Sequence, residues 1–155
     1  MMTVIMPLTD LGLLMDWRRE VIETVFGVEP SGKLIEANRR YYETHIADGS
    51  HMAFVATADG AGAGCGAICI QEELPSPDNP SGRCAYLMNI YVRPVFRGHG
   101  IGHAIVERLV EAARGAGCDK ISLETTDAAR TLYRSSGFRE YKDIMKYADI
   151  QDQQS

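Results

Sequence analysis

Signals for a membrane span, for secretion and for nucleic-acid binding are missing from this sequence. No run of about 18 apolar residues occurs, which argues against a helix that crosses a membrane. The N-terminus, Met1 to Val4, lacks the basic flank and the long apolar stretch of a signal peptide. A formal net charge of -5 argues against nonspecific nucleic-acid binding. We therefore expect a cytoplasmic protein without membrane or nucleic-acid partners.

Cysteine is also scarce, and its spacing does not match the usual metal or disulfide patterns. The 4 cysteines include no C-x-x-C pair, so we expect reduced thiols and no metal. Cys65 and Cys69 are an even number of residues apart in a predicted strand, so they should share one face as small core residues. The spacing of His99 and His103 is compatible with a metal pair, but a helix start explains it better.

The length and composition are those of one globular domain. A chain of 155 residues with 45% hydrophobic and 24% charged residues can bury a sizeable core. The sequence shows no linker, internal repeat or second domain. We expect a single domain over residues 1–155, with a folded core at 1–148 and a polar, frayed tail at 149–155.

Periodicity and turn residues predict the element order β-α-α-β-β-β-α-β-α-β-β. Thr9 or Asp10 should cap the first helix, and Gly27 and Pro30 should interrupt it. Strands are predicted at 3–8, 51–57, 67–71, 86–92 and 120–124, helices from near 10, 33, 101 and 127, and a terminal hairpin or two strands at 138–147. The one long loop, 73–83, is either part of an acceptor site or a plain exposed connection.

The most informative segment is the glycine-rich turn from Arg97 to Gly102, between a predicted strand and a predicted helix. Such a turn leaves backbone N–H groups unpaired at the positive end of the helix dipole, which makes an anion site. Gly100 and Gly102 let backbone approach backbone without a Cβ in the way. The segment therefore predicts a phosphate-bearing ligand.

Three motifs follow one another between Ala85 and Tyr141. They are a strand at 87–92 that runs into a proline at 94, the spacing R-x-x-G-x-G at 97–102, and LY-x-x-x-GF at 132–138. Their order and spacing resemble those of the GNAT superfamily, the acetyl-CoA-dependent N-acyltransferases. The resemblance implies an α/β (mixed α+β) fold with a mostly antiparallel central sheet, splayed between the fourth and fifth strands and flanked by helices.

The resemblance also implies an enzyme that transfers an acetyl group directly from acetyl-CoA to an amine in a ternary complex. Tyr133 stands at the place of a tyrosine beside the thioester sulfur, where a phenol of pKa near 10 can donate a proton to a thiolate of pKa about 8.5. Thr126 stands where the family often has an Asn that bonds the pantetheine arm. The backbone N–H groups of the fourth strand would polarise the thioester carbonyl. The implied cofactor contacts are Ile90, Tyr91, Val92, Arg97, Gly98, His99, Gly100, Ile101, Gly102 and Thr126.

Departures from the family pattern leave the reaction open. Met88 stands where the family often carries a Glu base, and Glu72, Glu73 and Glu124 are the other carboxylates near predicted strand ends, so the base is unassigned. The alternative is a non-catalytic acyl-CoA sensor on the same fold, which binds acetyl-CoA without amine-dependent thiol release. A dinucleotide-binding oxidoreductase is disfavoured, because His103 stands where its third glycine would be.

The expected acceptor is a primary amine of a small molecule or a protein amino group. Trp17, Tyr41 and Tyr42 either line the acceptor pocket or belong to the core, where aromatics at helical spacing are more often found. Many members of the family pair through exposed strands, so a homodimer is compatible with the resemblance.

Overall fold

The computed structural model describes residues 1–141 and 143–148. Within them, the strands are β1 (Thr3–Pro7), β2 (His51–Ala58), β3 (Ala61–Glu72), β4 (Arg83–Val92) and β5 (Lys120–Leu123). The α-helices are α1 (Leu11–Val21), α2 (Gly32–Ala47), α3 (Ile101–Gly115) and α4 (Arg130–Ser135), with a π-helical turn (Ile22–Phe26) after α1 and a 3-10 turn (Pro94–Phe96) after β4. No helix in these ranges is both long and apolar enough to span a membrane.

The strands form one mixed sheet in the order β1-β2-β3-β4-β5, which confirms the fold class predicted from the sequence. The first four strands are antiparallel to their neighbours, and β5 runs parallel to β4. The pairing with β5 covers only Cys84 to Leu87 of β4. From Met88 to Val92, the edge of β4 that faces away from β3 has no strand partner among the described residues, so a cleft opens there.

A β-bulge in β4 lies beside this cleft. The register between β3 and β4 slips so that Asn89 and Ile90 oppose the single residue Gly66. Asn89 takes a left-handed φ of 58°, which asparagine tolerates better than most residues. A Cβ on Gly66 would lie 2.6 Å from Ile105 Cγ2, so glycine lets α3 pack closely against the bulged region.

One face of the sheet packs against α3 through an apolar core. The buried stripe of α3 consists of Ile101, Ile105, Val106, Leu109, Ala112 and Ala113. This stripe shares its core with Phe54, Ile68 and Leu87 of the sheet. Because burying a side chain of leucine size contributes about 1.5–3 kcal/mol, the stripe fixes α3 and the loop before it on the sheet. Helical periodicity in the sequence predicts Ile101, Ile105, Leu109 and Ala112 for this stripe, and all four are buried.

The other face of the sheet packs against α1 and α2. Asp10 caps α1, because its Oδ2 accepts a hydrogen bond from the Leu13 N–H at 2.9 Å. The buried residues of the two helices are Leu14, Trp17, Val21 and Tyr42. Trp17 and Tyr42 are therefore core residues, whereas Tyr41 is only partly buried.

Two predictions from the sequence differ from the structure. β3 begins at Ala61 and not at residue 67, because glycine and alanine dominate its first half and give no alternation of apolar side chains. The terminal hairpin or strand pair predicted at 138–147 is wrong, since no strand occurs in 138–141 or 143–148. Large apolar side chains there, such as Met145, stay exposed and cover no core face. Lys142 and the frayed tail predicted at 149–155 lie outside the described residues.

Candidate functional site

The glycine-rich loop before α3 presents a row of unpaired backbone donors. Gly98 and Gly100 have φ angles of 81° and 77°, and a Cβ added to either would meet nothing within 4 Å. Ala104 is the first residue of α3 whose N–H reaches a carbonyl, that of Gly100. Among the described residues, the N–H groups from Gly98 to His103 have no acceptor. An open cradle of donors at a helix N-terminus fits a phosphate group.

Some side chains around the loop form hydrogen bonds within the protein and others do not. Arg97 Nε donates to the Val92 carbonyl oxygen at 3.1 Å, and this bond holds the guanidinium at the loop. His99 is exposed and has no partner in the described part of the chain. His103 is engaged, because its Nδ1 lies 3.1 Å from Ser136 Oγ. The described residues contain no group of three or more metal-ligating side chains.

Ile101 and Gly102 join the loop to the core. The Ile101 side chain is buried, so only its backbone N–H is available to a ligand. A Cβ on Gly102 would lie 3.3 Å from Leu132 Cδ2 and 3.7 Å from Val92 Cγ2. Glycine at this position thus lets the first turn of α3 pack closely on both α4 and the end of β4.

At the unpaired edge of β4, the side chains of the predicted contact residues belong to the cores. Tyr91 is buried, and its ring meets that of Trp17 edge-on at a centroid distance of 6.5 Å. Ile90 and Val92 pack against the core beneath α3. A ligand in the cleft can therefore meet the backbone here and not these side chains. The N–H of Tyr91 is directed toward β3, because that of Arg93, two residues on, donates to the Ala63 carbonyl of β3.

Tyr133 lies on α4 and is buried in the same core as α3. Its ring packs edge-on against Phe138 at 6.2 Å. The hydroxyl makes no hydrogen bond to a described residue and is not sealed from solvent. Burial raises the pKa of this phenol, and the neighbouring Tyr86 adds to the rise. Tyr133 therefore keeps its proton at neutral pH and is available as a donor.

Thr126 lies in the turn between β5 and α4. Its Oγ1 accepts a hydrogen bond from the Ala129 N–H at 3.3 Å, and Thr125 Oγ1 donates to the Thr126 carbonyl oxygen at 2.8 Å. The bond to Ala129 uses an oxygen lone pair, so the hydroxyl proton of Thr126 stays available. A hydroxyl can donate one hydrogen bond to a ligand. The amide of an Asn side chain offers two N–H donors and a carbonyl acceptor.

On the opposite face, Arg18 of α1 reaches the β4 bulge. Its Nη1 donates to Asn89 Oδ1 at 2.8 Å, and its Nε donates to Asn38 Oδ1 at 3.1 Å. One guanidinium thus connects α1, α2 and the bulge. No local pattern in the sequence indicates this link, because 71 residues separate Arg18 from Asn89. The one available signal was an asparagine inside an apolar strand, since asparagine is enriched at left-handed φ angles.

A second arginine holds α1 to the end of β4. Arg93 Nε and Nη2 donate to the two carboxylate oxygens of Glu20, each at 2.9 Å, and Nη1 donates to the Gly62 carbonyl oxygen at 2.8 Å. The guanidinium also lies 4.4 Å from the centroid of the Trp17 ring. The hydrogen bonds from Arg93 hold the pKa of the Glu20 carboxyl below its ordinary value, against the opposing effect of burial. Two arginine contacts therefore fix α1 to the bulged half of β4.

A polar cluster is buried between α2 and the sheet. The Tyr41 hydroxyl lies 2.8 Å from His51 Nδ1 and 3.1 Å from Cys69 Sγ. His51 is 3% exposed, and its Nε2 has no partner among the described residues. Burial, with smaller effects of His45 and Arg18, lowers the pKa of His51 to about 4. The imidazole is therefore neutral at neutral pH.

The geometry of the three carboxylates considered as general bases does not assign that role to any of them. Glu73 accepts hydrogen bonds from Asn79 Nδ2 at 3.1 Å and from Lys120 Nζ at 3.3 Å, and both lower the pKa of its carboxyl. This makes Glu73 a weaker base. Glu72 and Glu124 are exposed. The base stays unassigned.

Comparison with known proteins identifies the family that this architecture fits. The model of the acetyltransferase (GNAT) family matches residues 14–138. Glucosamine 6-phosphate N-acetyltransferase 1 of Oryza sativa subsp. japonica is 30% identical over 131 residues, which are 82% of this chain and 78% of that protein. Thialysine N-epsilon-acetyltransferase of Sus scrofa is 33% identical over 105 residues, which are 54% of this chain and 62% of that protein.

Solved structures show the same fold. A predicted acetyltransferase from Clostridium acetobutylicum, solved with acetyl-CoA, has a TM-score of 0.82 and 25% identity over 95% of this chain and 96% of that one. Glucosamine-6-phosphate N-acetyltransferase from Arabidopsis thaliana has a TM-score of 0.69 and 22% identity over 96% of this chain and 100% of that one. Because the family match runs from α1 to the end of α4 and includes both strands that border the cleft, the chain belongs to the GNAT family of acetyltransferases.

Proposed function

We propose that the protein transfers the acetyl group of acetyl-CoA directly to a primary amine in a ternary complex. The observation that carries the proposal is the row of free N–H groups from Gly98 to His103 beside the unpaired edge of β4. Acetyl-CoA supplies an activated thioester. Support comes from the relative solved with acetyl-CoA and from the relatives named as N-acetyltransferases of glucosamine 6-phosphate and thialysine. The acceptor is an amine of a small molecule or a protein amino group.

The loop and the strand edge would bind different parts of the co-substrate. The N–H groups of Gly98 to Gly102 donate to the pyrophosphate, with the guanidinium of Arg97 and the ring of His99 beside them. Among Ile90 to Val92, the backbone N–H groups that face the open edge polarise the thioester carbonyl, whereas the N–H of Tyr91, two residues before Arg93, is directed toward β3. The Thr126 hydroxyl donates to the pantetheine arm. The open space around Gly98 and Gly100 supports this arrangement.

Tyr133 is the proposed acid for the departing thiolate. Burial raises the pKa of its phenol, so the proton is present at neutral pH, and a thiolate of pKa about 8.5 takes it as the C–S bond breaks. No hydrogen bond to a described residue competes for the hydroxyl. Met88 offers no carboxylate at the bulge, so the acceptor enters as the free amine. The proton that its nitrogen loses passes to water, and water returns a proton to the Tyr133 oxygen, so the reaction as a whole neither takes up nor releases a proton.

Release of free thiol from acetyl-CoA, measured with a panel of amines, polyamines and lysine peptides, tests the proposal. We expect amine-dependent release in the wild type and its loss in Gly100→Trp, because an indole there fills the cradle. Gly60→Trp is the matched control, since Gly60 also has a left-handed φ, 84°, and open surroundings, but lies in the turn between β2 and β3. A wild-type protein that does not bind acetyl-CoA contradicts the proposal.

Tyr133→Phe separates proton donation from ring packing. We expect turnover to fall by about tenfold or more, while acetyl-CoA affinity and the midpoint of thermal unfolding stay unchanged, because the ring contact with Phe138 is kept. Unaltered turnover would contradict the acid role. Tight binding of acetyl-CoA without any amine-dependent thiol release would instead support a non-catalytic acyl-CoA sensor.

Several expectations about the setting of this activity stay predictions. They are a single domain over residues 1–155, a cytoplasmic location, a homodimer, and the lack of nucleic-acid and membrane partners. The proposed transfer does not depend on any of them.

A further inference from the structure

Arg18 carries a positive charge that no described residue neutralises. Its hydrogen-bond partners, Asn38 and Asn89, are both neutral amides. Arg93, the other arginine between α1 and β4, has a two-oxygen ion pair with Glu20. Holding a partly buried guanidinium without a carboxylate costs free energy, because lost hydration is not replaced by an opposite charge. Arg18 therefore has no carboxylate partner among the described residues, and the further contact of its charge is with the Phe26 ring, whose centroid lies 5.8 Å from Cζ.

The same guanidinium lines a cavity of about 150 Å³ between α1 and α2. Arg19 and Arg39 also line it, beside one aspartate and the apolar residues Met15, Ile22, Pro30 and Ile35. Arg19 and Arg39 pair with carboxylates of their own helical segments. Among the described residues, Arg18 is thus the cavity arginine whose charge is not compensated. The volume accommodates a phosphate or carboxylate group together with water.

Arg18 also lies close to the point where transfer is proposed. Its partner Asn89 belongs to the β4 bulge, next to Ile90 on the strand edge that would hold the thioester. Burial raises the pKa of the Cys69 thiol, and the charge of Arg18 works against this rise. Cys69 and Tyr86 line a second cavity, of about 360 Å³, over β3, β4 and β5. The charge of Arg18 therefore reaches from the inter-helix cavity to the sheet face on which Cys69 lies.

We propose that Arg18 binds an anionic group of the acceptor, so that the natural acceptor is a primary amine that also carries a phosphate or a carboxylate. The inference rests on the proposed acetyl transfer and adds its substrate class. A guanidinium presents its donors in a planar fork that matches either oxyanion, and Nη2 of Arg18 has no described partner. A bound oxyanion would supply a countercharge. Arg18 is thus a residue that determines specificity and positions the amine.

Matched pairs of acceptors test this inference. Glucosamine 6-phosphate differs from glucosamine by a phosphate, and lysine differs from 1,5-diaminopentane by a carboxylate. For the anionic member of at least one pair, we expect the wild-type KM to be about 10- to 100-fold lower than for the neutral member. Arg18→Gln should remove this difference, so that the KM values for the two members of a pair become equal, whatever the loss of the bond to Asn89 does to both. Arg18→Lys keeps the charge but not the planar guanidinium, so it should retain part of the difference in KM.

A charge control and two further outcomes complete the test. Arg114→Gln removes the same charge at the exposed end of α3 and should alter neither KM. Equal KM values within each pair in the wild type would overturn the inference while leaving acetyl transfer intact. A preference for the anionic member that survives in Arg18→Gln would overturn it as well.

Direct binding decides the inference even where no amine is acetylated. With the glycine loop filled by saturating CoA, inorganic phosphate should raise the midpoint of thermal unfolding of the wild type and not that of Arg18→Gln. The lack of a shift in the wild type, or an equal shift in both proteins, would overturn the inference. A shift specific to the wild type in a protein without amine-dependent thiol release would count against the proposed function alone.

Discussion

On the face covered by α3, the sheet meets apolar side chains, whereas on the face covered by α1 and α2 it also meets charged and polar ones from distant parts of the chain. On the α3 face, the groups offered to the cleft are backbone N–H groups of the loop and of β4. On the other face they are long side chains. Arg18 reaches Asn89 across 71 residues of sequence, and Arg93 reaches Glu20 across 73.

This difference indicates how the two faces tolerate change. A cradle of backbone donors depends on the path of the main chain, with glycine at the left-handed positions 98 and 100, and not on side-chain chemistry, so it suits a ligand that all members of a family share. A surface of paired side chains changes with single substitutions, so it suits a partner that differs between members. The β4 bulge belongs to both faces, because Arg18 holds Asn89 on one side and Gly66 admits α3 on the other.

The largest loss of stability should come from one carbon atom added on the face of the sheet that α3 covers. Gly64→Ala places a Cβ 2.5 Å from the Tyr91 carbonyl oxygen and 3.2 Å from Ile105 Cδ1. The carbonyl belongs to the paired backbone of β4 and cannot move aside freely. We expect the free energy of unfolding, measured in urea, to fall by about 3 kcal/mol or more.

Gly115→Ala is the control for this substitution. Gly115 ends α3, and a Cβ there meets nothing within 4 Å. Because alanine favours helix over glycine, the change should be neutral or stabilise by up to about 1 kcal/mol. A Gly64→Ala protein as stable as Gly115→Ala would show that the α3 face is not closely packed against β4.

The second effect is a pH dependence of stability, and it arises on the face covered by α1 and α2. Burial lowers the pKa of His51 from 6.5 to about 4, so between these values the unfolded chain binds a proton that the folded protein excludes. Stability should therefore fall as the pH drops through this window, by up to about 3 kcal/mol from this group. In His51→Gln, urea unfolding across the same window should show a shallower fall. Parallel curves would contradict a buried, neutral His51.

The smallest effect concerns the ion pair between α1 and β4. Glu20→Gln should lower the free energy of unfolding by about 1 kcal/mol at neutral pH, because Glu20 and Arg93 are 30% and 39% exposed and water screens them. The lowered pKa of Glu20 means that its contribution is present above the ordinary value of 4.5 and is lost as the pH falls through the folded-state value. The stabilities of the two proteins should therefore converge in acid.

Glu23→Gln is the control on the neighbouring turn. Glu23 pairs with Arg19 at 3.0 Å, and both side chains are nearly half exposed. Removing an exposed pair of this kind should cost no more than about 0.5 kcal/mol in urea unfolding. Equal losses in Glu20→Gln and Glu23→Gln would show that the contact with β4 adds nothing to an ordinary surface pair.

The contrast between the two faces also explains what the sequence could predict. The buried stripe of α3, the Asp10 cap and the glycine loop depend on residues close together in the chain, and periodicity and turn chemistry reveal them. The mixed sheet and its opening beside β4 followed from the resemblance to a known family. The roles of Tyr133 and of the loop contacts in binding and chemistry stay predictions.

What the sequence could not show depends on distant partners or on the lack of a side-chain pattern. No local rule connects Arg18 with Asn89, and the bulge that Asn89 forms depends on the register with β3. The glycine and alanine residues at the start of β3 carry no alternation to detect. The pattern at 138–147 resembles strands, but beyond Phe138, which packs against Tyr133, its large apolar side chains such as Ile144 and Met145 are exposed.

The short pairing between β4 and β5 has a consequence for the stability of the protein. Four residue pairs join these strands, and the rest of the β4 edge is left without a strand partner among the described residues. Acetyl-CoA bound along that edge would take the place of a strand and add its binding free energy to the stability of the fold. At about 100 times its Kd, it would contribute about 2.7 kcal/mol. Removal of acetyl-CoA would take this contribution away and leave the edge of β4 without a cover.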